Sequence, residues 1–190
     1  MTNVIDLETI LRNNPDLDAL LDRFAEIALP DAWIVAGSLA QTVWNHRFGL
    51  AAKHGIGDID LVYFDPDLTE ATEEAHAQRL PALFPELSAW LDVKNQARVH
   101  QWYGEKFGRP LTPYTSTPNA IATYPTTATS VGIRRLDGQT EICAPFGLAD
   151  LFAGIVRPNK ALVTETVYAA KATRWRAAWP GLTIIPWDAA

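Results

Sequence analysis

Two aspartates, Asp58 and Asp60, stand in an otherwise apolar segment with one residue between them. Alternate residues of a β-strand point to the same face, so a strand over residues 57–64 presents both carboxylates together. Charges of one sign in such a place need a cation, a hydrogen-bonding network or solvent. A divalent ion bound to a nucleotide phosphate meets that need. The alternative is an aspartate at a strand entry beside a solvent-facing one.

The dipeptide Gly37-Ser38 lies between a predicted strand, residues 33–36, and a segment with helical spacing, residues 39–48. A glycine at this turn lets the backbone come close to a ligand. The amides at the start of the following helix can hold a phosphate, and the Ser38 hydroxyl can add a donor. A simple turn and helix cap is the other interpretation of this dipeptide.

A third carboxylate, Asp92, interrupts a predicted strand over residues 88–94 and shares a face with Lys94. If this strand neighbours the one that carries Asp58, three carboxylates converge. Asp92 can then be a metal ligand or the general base that takes the proton of an acceptor hydroxyl. The alternative is an exposed aspartate that is paired with Lys94.

Two cations follow Asp92 closely, Lys94 and Arg98. Either can neutralise a triphosphate, because transfer of a phosphoryl-type group depends mainly on positioning and electrostatics. Asn95 and Gln96, which lie between them, can bind a base or cap a helix, and for Asn95 we expect the cap. The predicted site therefore has catalytic and metal-binding residues Asp58, Asp60 and Asp92, and nucleotide-binding residues Gly37, Ser38, Lys94 and Arg98.

The composition is that of a globular protein: of 190 residues, 48% are hydrophobic and 20% are charged. The net charge of −6 argues against general DNA binding, which depends on neutralising phosphates. Cys143 is the single cysteine, so an intrachain disulfide and a cysteine zinc cluster are excluded, which fits a cytoplasmic location. We expect no membrane span and no secretion signal, because no apolar run has the required length.

The order of the elements predicts an α+β (α/β) fold around one mixed sheet. We expect a single domain over residues 1–190, with a catalytic core at about 30–145 and a helical C-terminal part at about 146–190. The spacing predicts helices at about 4–28 (interrupted near residue 15), 39–48, 69–83, 95–106, 118–124, 148–155 and 163–179, and strands at 33–36, 57–64, 88–94, 126–135 and 139–144. The last two strands join at Asp137-Gly138, a typical hairpin turn.

The Gly-Ser turn, the Asp-x-Asp pair and the later strand aspartate together resemble the nucleotidyltransferase fold of the DNA polymerase β type. The closer resemblance is to an uncharacterised group of bacterial nucleotidyltransferases, whose recurring segments resemble residues 93–100, 114–117, 125–129, 144–148 and 179–182. The spacing between Ser38 and Asp58 is longer than is common in the superfamily, and we interpret residues 49–57 as an insertion.

This resemblance implies a Mg²⁺ (or Mn²⁺) ion at the three aspartates and an NTP as co-substrate, whose nucleoside monophosphate passes to an acceptor. The acceptor stays open: the acidic chain favours a small molecule or a protein over long RNA, while basic residues in the second half allow a tRNA-like one. Two alternatives are a non-catalytic module that binds a nucleotide or partner, as in toxin–antitoxin pairs, and a metal-dependent phosphohydrolase. The sequence does not indicate an oligomeric state.

Overall fold

The structure, a computed structural model, describes the backbone of residues 2–189 and the side chains of residues 6–189. Met1 and Ala190, the ends of the predicted domain, lie outside the described residues. The helices are α1 (Thr2–Arg12), α2 (Pro15–Asp22), α3 (Gly37–Phe48), α4 (Glu70–Leu83), α5 (Val99–Phe107), α6 (Thr117–Ile121), α7 (Ala149–Ala153) and α8 (Glu165–Ala178). The strands are β1 (Trp33–Val35), β2 (Asp58–Tyr63), β3 (Trp90–Asn95), β4 (Gly132–Leu136), β5 (Gln139–Cys143), β6 (Ile155–Val156) and β7 (Thr183–Ile184). Within this range, no helix is both long and apolar enough to cross a membrane.

A five-stranded mixed sheet organises the fold, in the order β3-β2-β1-β4-β5. β2 and β3 run parallel and are connected through α4, because parallel neighbours need a crossover. The other pairs are antiparallel. The predicted α+β (α/β) class, with one mixed sheet flanked by helices, is confirmed. A second sheet of two parallel strands, β6 and β7, was not expected, since two-residue strands have no alternation pattern to detect.

The two faces of the main sheet are covered differently. The main core takes the odd-numbered residues of the two parallel strands: Ile59, Leu61, Tyr63, Leu91 and Val93. The other face carries a smaller buried apolar cluster, formed by Trp33, Val35, Val62 and Ile121. Because side chains alternate along a strand, Asp58, Asp60 and Asp92 belong to this second face.

The main core extends into the C-terminal region. Trp44 of α3 packs edge-on against Trp175 and Trp179, with ring centroids 5.6 Å apart in both pairs. All three rings are buried, and aromatic burial of this kind contributes a large apolar area to stability. The helix α8 is therefore fixed against α3 and the main sheet through one shared core.

The segment 49–57, the predicted insertion, is tied to both α3 and α8. The Asn45 side-chain amide donates to two carbonyls of the segment at 3.1 and 2.9 Å, and its oxygen accepts from the Trp179 indole at 2.6 Å. Gly55 has φ +71°, and a Cβ there would lie 2.6 Å from the Trp179 ring. Position 55 therefore requires glycine for two reasons: the backbone has a positive φ, and the Trp179 ring leaves no room for a Cβ.

The predicted hairpin of β4 and β5 is present, with Asp137 and Gly138 at φ 49° and 77° as a type I′ turn requires. The strand β4 begins only at Gly132, whereas the predicted strand begins at residue 126. Before it, the Ser130 hydroxyl donates to the Thr126 carbonyl at 2.9 Å, within a short turn. Hydroxyl side chains compete here with the sheet for backbone hydrogen bonds, so a β-rich composition does not produce a strand.

Candidate active site

The aspartates of β2 and β3 occupy neighbouring positions of the sheet. The two strands pair in register with Asp60 directly beside Asp92, and Asp58 lies beside Trp90. Adjacent strands are about 4.8 Å apart, and residues two apart share a face. Three carboxylates therefore project from one small area of the sheet, because the two strands are neighbours, which was the condition for their convergence.

Asp60 is partly buried in surroundings that oppose its ionisation. Burial raises the pKa of Asp60 to about 7, and the charges of Asp58 and Asp92 add to this rise. The cation of Lys171 and a hydrogen bond from the backbone amide of Gly37 lower the same pKa to a lesser extent. Negative charge at this point of the sheet is thus only partly balanced by the protein itself.

The carboxylate oxygens of the three aspartates are suitable ligands for a hard divalent cation, although the side chains are not arranged as a complete metal site. Asp92 forms an ion pair with Lys94, with Oδ1 and Nζ 3.2 Å apart, as in the alternative interpretation. Among the side chains of residues 6–189, no three of the His, Cys, Asp and Glu type are grouped as metal ligands. Carboxylate oxygens on one face are nevertheless the ligands that Mg²⁺ prefers, and the raised pKa of Asp60 indicates a charge that a cation would stabilise.

The turn before α3 brings backbone amides to the edge of this site. Ala36 has φ 61° and ψ −122°, a strained conformation for a residue with a Cβ, and its amide is anchored on the Val131 carbonyl at 2.9 Å. Gly37 begins the helix, and its amide reaches Asp60. The Ser38 side chain is 1% exposed, and within the described residues its Oγ has no hydrogen-bond partner.

Arg98 is placed away from the carboxylates. Its Nη1 donates to Glu73 at 2.6 Å and its Nε to the Leu68 carbonyl at 3.0 Å, in an ion pair whose two side chains are only 9% and 12% exposed. Both ends of this pair are largely desolvated, so separating them is costly. We therefore leave Arg98 out of the site. Asn95 caps the short turn Gln96–Arg98 by accepting from the Ala97 amide at 3.1 Å, as expected.

A cavity of about 350 Å³ opens beside Asp60. Its floor is the sheet face with Val35, Val62 and Lys94, and its walls are α5 and the start of α8. Five aromatic side chains line it: Trp102, Tyr103, Phe107, Tyr114 and Tyr124. A small concave site of this kind, largely apolar with a few polar groups, is typical of ligand binding.

Comparison with known proteins identifies the family. A sequence profile described as "Nucleotidyltransferase" matches residues 22–184, most of the chain. The chain belongs to this nucleotidyltransferase family. A search of curated proteins found no match.

One solved structure is similar to the whole nucleotidyltransferase chain. It is an NMR structure described as revealing a CCA-adding enzyme head domain, with 28% sequence identity and a TM-score of 0.77. The match covers 94% of this chain and 95% of that one. The fold described above is thus similar to that of this head domain.

Sequence reasoning missed Lys171 as a residue of the candidate site. Lys171 lines the cavity, and its charge acts on Asp60 and Asp58 from α8. Burial lowers the pKa of Lys171, and Arg174 lowers it further, while the two aspartates oppose this change. The spacing of the sequence did contain an indication of this position. Val167 and Lys171 are four residues apart on α8 and both line the cavity, and Val163, just before the helix, continues the same spacing.

Sequence reasoning also missed the aromatic side chains of α5 that line the cavity. Val99, Trp102, Tyr103 and Phe107 follow helical spacing and face the cavity. The same spacing is produced by any helix that packs on a core, so it does not by itself indicate a ligand site.

Proposed function

We propose that the protein is a nucleotidyltransferase that uses Mg²⁺ (or Mn²⁺) to move a nucleoside monophosphate from an NTP to an acceptor. The observation that carries this proposal is the register of β2 and β3, which sets Asp60 beside Asp92 with Asp58 on the same face. The start of α3 adjoins these carboxylates, since the Gly37 amide reaches Asp60. Membership of a nucleotidyltransferase family supports the same reaction.

The three aspartates have distinct proposed roles. Asp58 and Asp60 would hold the ion, and Asp92 would be a third ligand or the base that takes the acceptor proton. When bound, the ion would stabilise negative charge on the transferred phosphoryl group and on the leaving pyrophosphate. Lys94, which pairs with Asp92 in this structure, would be free to approach a phosphate whenever Asp92 turns away from it.

The nucleotide phosphates would lie at the start of α3. A helix N-terminus presents unpaired amides and a partial positive charge to an anion, and α3 is a helix of 12 residues. Ser38 and its unpartnered Oγ lie in the first turn of this helix. Lys171 supplies a cation from α8, on the same side of the sheet as Asp60.

Isothermal titration with an NTP and Mg²⁺ tests the nucleotide site. We expect binding by the wild-type protein, and a loss of roughly 100-fold or more in affinity for the double variant Asp58→Ala/Asp60→Ala, because these two carboxylates would hold the ion that neutralises the phosphates. Asp6→Ala, an exposed aspartate on α1, is the matched control and should bind like wild type. Equal binding by the double variant and the control would contradict the proposal.

A non-catalytic binding module of the same fold is the second candidate. The ion pair between Asp92 and Lys94 favours it, because it engages a carboxylate that catalysis would need. Pyrophosphate release separates the candidates: an enzyme releases it in the presence of its acceptor, whereas a binding module does not. A phosphohydrolase would instead produce free phosphate or a nucleoside monophosphate without a modified acceptor. A cytoplasmic location remains part of the proposal.

A further inference from the structure

The cavity meets the carboxylate site at one residue. Asp60 is the single acidic residue among the described residues that line it, whereas Gly37, Ser38 and Asp58 lie outside the cavity. A triphosphate held on the first amides of α3 and at Asp58 would therefore stay at the mouth of the cavity. A second molecule inside the cavity would reach the phosphates at Asp60.

Aromatic side chains form much of the wall of this cavity. On α5, the ring centroids of Tyr103 and Phe107 are 4.6 Å apart and those of Trp102 and Tyr103 are 6.2 Å apart, with tilted planes in both pairs. Opposite, burial raises the pKa of Tyr124 well above its ordinary value, and the charge of Asp60 adds to the rise, so this phenol stays protonated. Such walls favour the stacking of an aromatic ring.

Several of the polar groups in the cavity are already engaged, which limits what it can recognise. The Tyr114 hydroxyl is hydrogen-bonded to Thr123 at 2.7 Å, and Lys94 faces Asp92. A nucleobase carries several donors and acceptors that would need new partners, so its burial here would leave some of them unsatisfied. An aromatic ring with fewer polar groups does not have this cost.

The charge at the rim favours an anion. Three cations line the cavity, and because Lys94 is paired with Asp92, Arg109 and Lys171 remain against the single lining carboxylate. The Arg109 guanidinium donates from one nitrogen to the Leu162 carbonyl at 3.1 Å, which fixes its position and leaves other N–H groups for a ligand. An Arg in this position suits a carboxylate, which it can bind through two parallel hydrogen bonds.

We infer that the cavity is the acceptor site, and that the acceptor is a small aromatic hydroxyl compound with one anionic group. This inference rests on the proposed function and names its substrate class. The volume of about 350 Å³ lies near the lower end of the range of small-molecule sites, roughly 300–1,000 Å³. In the transfer, the acceptor oxygen bonds to the α-phosphorus, the bond from that phosphorus to pyrophosphate breaks, and pyrophosphate leaves with the electron pair. The hydroxyl proton passes to Asp92, which lies beside Asp60 on the neighbouring strand, at the edge of the cavity and not in its lining.

A charge series of probes tests this inference by binding alone, without nucleotide. The probes are 4-hydroxyphenylacetate, tyrosol and tyramine, which share one ring and are anionic, neutral and cationic. By titration calorimetry we expect 4-hydroxyphenylacetate to bind about 10-fold or more tighter than tyrosol, which is the usual size of one charge-assisted hydrogen bond, and tyramine to bind weakest. Mn²⁺ should broaden the NMR lines of the bound anionic probe, since the cavity adjoins the carboxylates.

Two variants locate the probe. Arg109→Gln should remove most of the preference for the anion, and its control is Arg135→Gln on β4, outside the cavity. Trp102→Ala should weaken all ring probes by about 10-fold, because a stacked aromatic wall is lost, and its control is the exposed Phe146→Ala. Unchanged folding of each variant is checked by circular dichroism.

Each of these results would overturn the inference: equal affinity across the charge series, no effect of Trp102→Ala, or displacement of the probe by a nucleoside but not by triphosphate. The last would assign the cavity to the base of the NTP. Tight competition by an oligoribonucleotide ending in CCA would likewise assign the acceptor to RNA. The nucleotide titration with the Asp58→Ala/Asp60→Ala variant is independent of these probes, so a failure of the proposed function is recognised separately.

Discussion

At Asp60 the fold keeps a carboxyl group close to two others, with burial as the main force against its ionisation. Its pKa of about 7 lies well above the ordinary value of 3.8. A group of this kind binds a proton or a cation near neutral pH, and the two compete. We therefore expect the charge at this residue to be coupled to stability and, in the proposed function, to metal binding.

The first prediction concerns pH. Between about pH 4 and 7 the folded protein holds a proton on Asp60 that the unfolded chain has lost, so the free energy of unfolding falls as the pH rises through this window. In the Asp60→Asn variant, the free energy of unfolding should fall less between pH 5 and 7.5 than in wild type, as measured by urea unfolding in the presence of EDTA. Mg²⁺ at pH 7.5 should stabilise wild type more than the variant. An identical pH slope in both proteins would refute the assignment.

The second prediction concerns Lys171. Replacing this cation with Met should reduce kcat/KM for nucleotidyl transfer by about 10- to 100-fold, because preorganised charge at the phosphates is lost. Arg176→Met, at an exposed position of the same helix, is the control and should leave the rate unchanged. Equal rates for the two variants would show that Lys171 does not act on the phosphates.

At the scale of elements, α3, α8 and the segment 49–57 form one unit. Asn45 joins all three through its hydrogen bonds to that segment and to Trp179. The same α3 presents its first turn to the carboxylates, and α8 carries Lys171. The segment thus holds together the two helices that frame the site.

The third prediction tests this unit with two glycines. Gly55→Ala should cost roughly 2–4 kcal/mol of stability, from a positive φ and from overlap with the Trp179 ring. Gly49→Ala also has a positive φ, but it has open space around it, so it should cost only about 1 kcal/mol. Thermal or urea unfolding gives both values. Similar losses in the two variants would mean that the contact with Trp179 contributes little.

Elements with strong local patterns were predicted well, and those set by tertiary context were not. Alternation in β2 indicated a strand with its carboxylates on one face, and Asp137-Gly138 indicated the hairpin. The turn before Gly132 was mistaken for a strand, because hydroxyl groups can serve either structure. The side chain of Asp92 turns toward Lys94, and this orientation depends on contacts between side chains that the spacing of residues in the sequence does not reveal.

At the scale of the whole molecule, the site is assembled from both halves of the chain. The carboxylates and the first turn of α3 come from the predicted catalytic core, while Lys171 and one cavity wall come from the C-terminal region. Residues this far apart in sequence share no local pattern, so their proximity could not be predicted from spacing. Arg98 is the converse case: it is close to Asp92 in sequence, but its ion pair with Glu73 takes it elsewhere.

The fourth prediction tests the central claim, transfer of a nucleoside monophosphate at Asp58 and Asp60. The protein is incubated with each NTP, Mg²⁺ and a cell extract, and products are examined by mass spectrometry. Wild type should yield an acceptor heavier by one nucleoside monophosphate with release of pyrophosphate, and Asp58→Asn/Asp60→Asn should form it roughly 1,000-fold more slowly or not at all. Formation of the same product by the double variant at the wild-type rate would contradict the account.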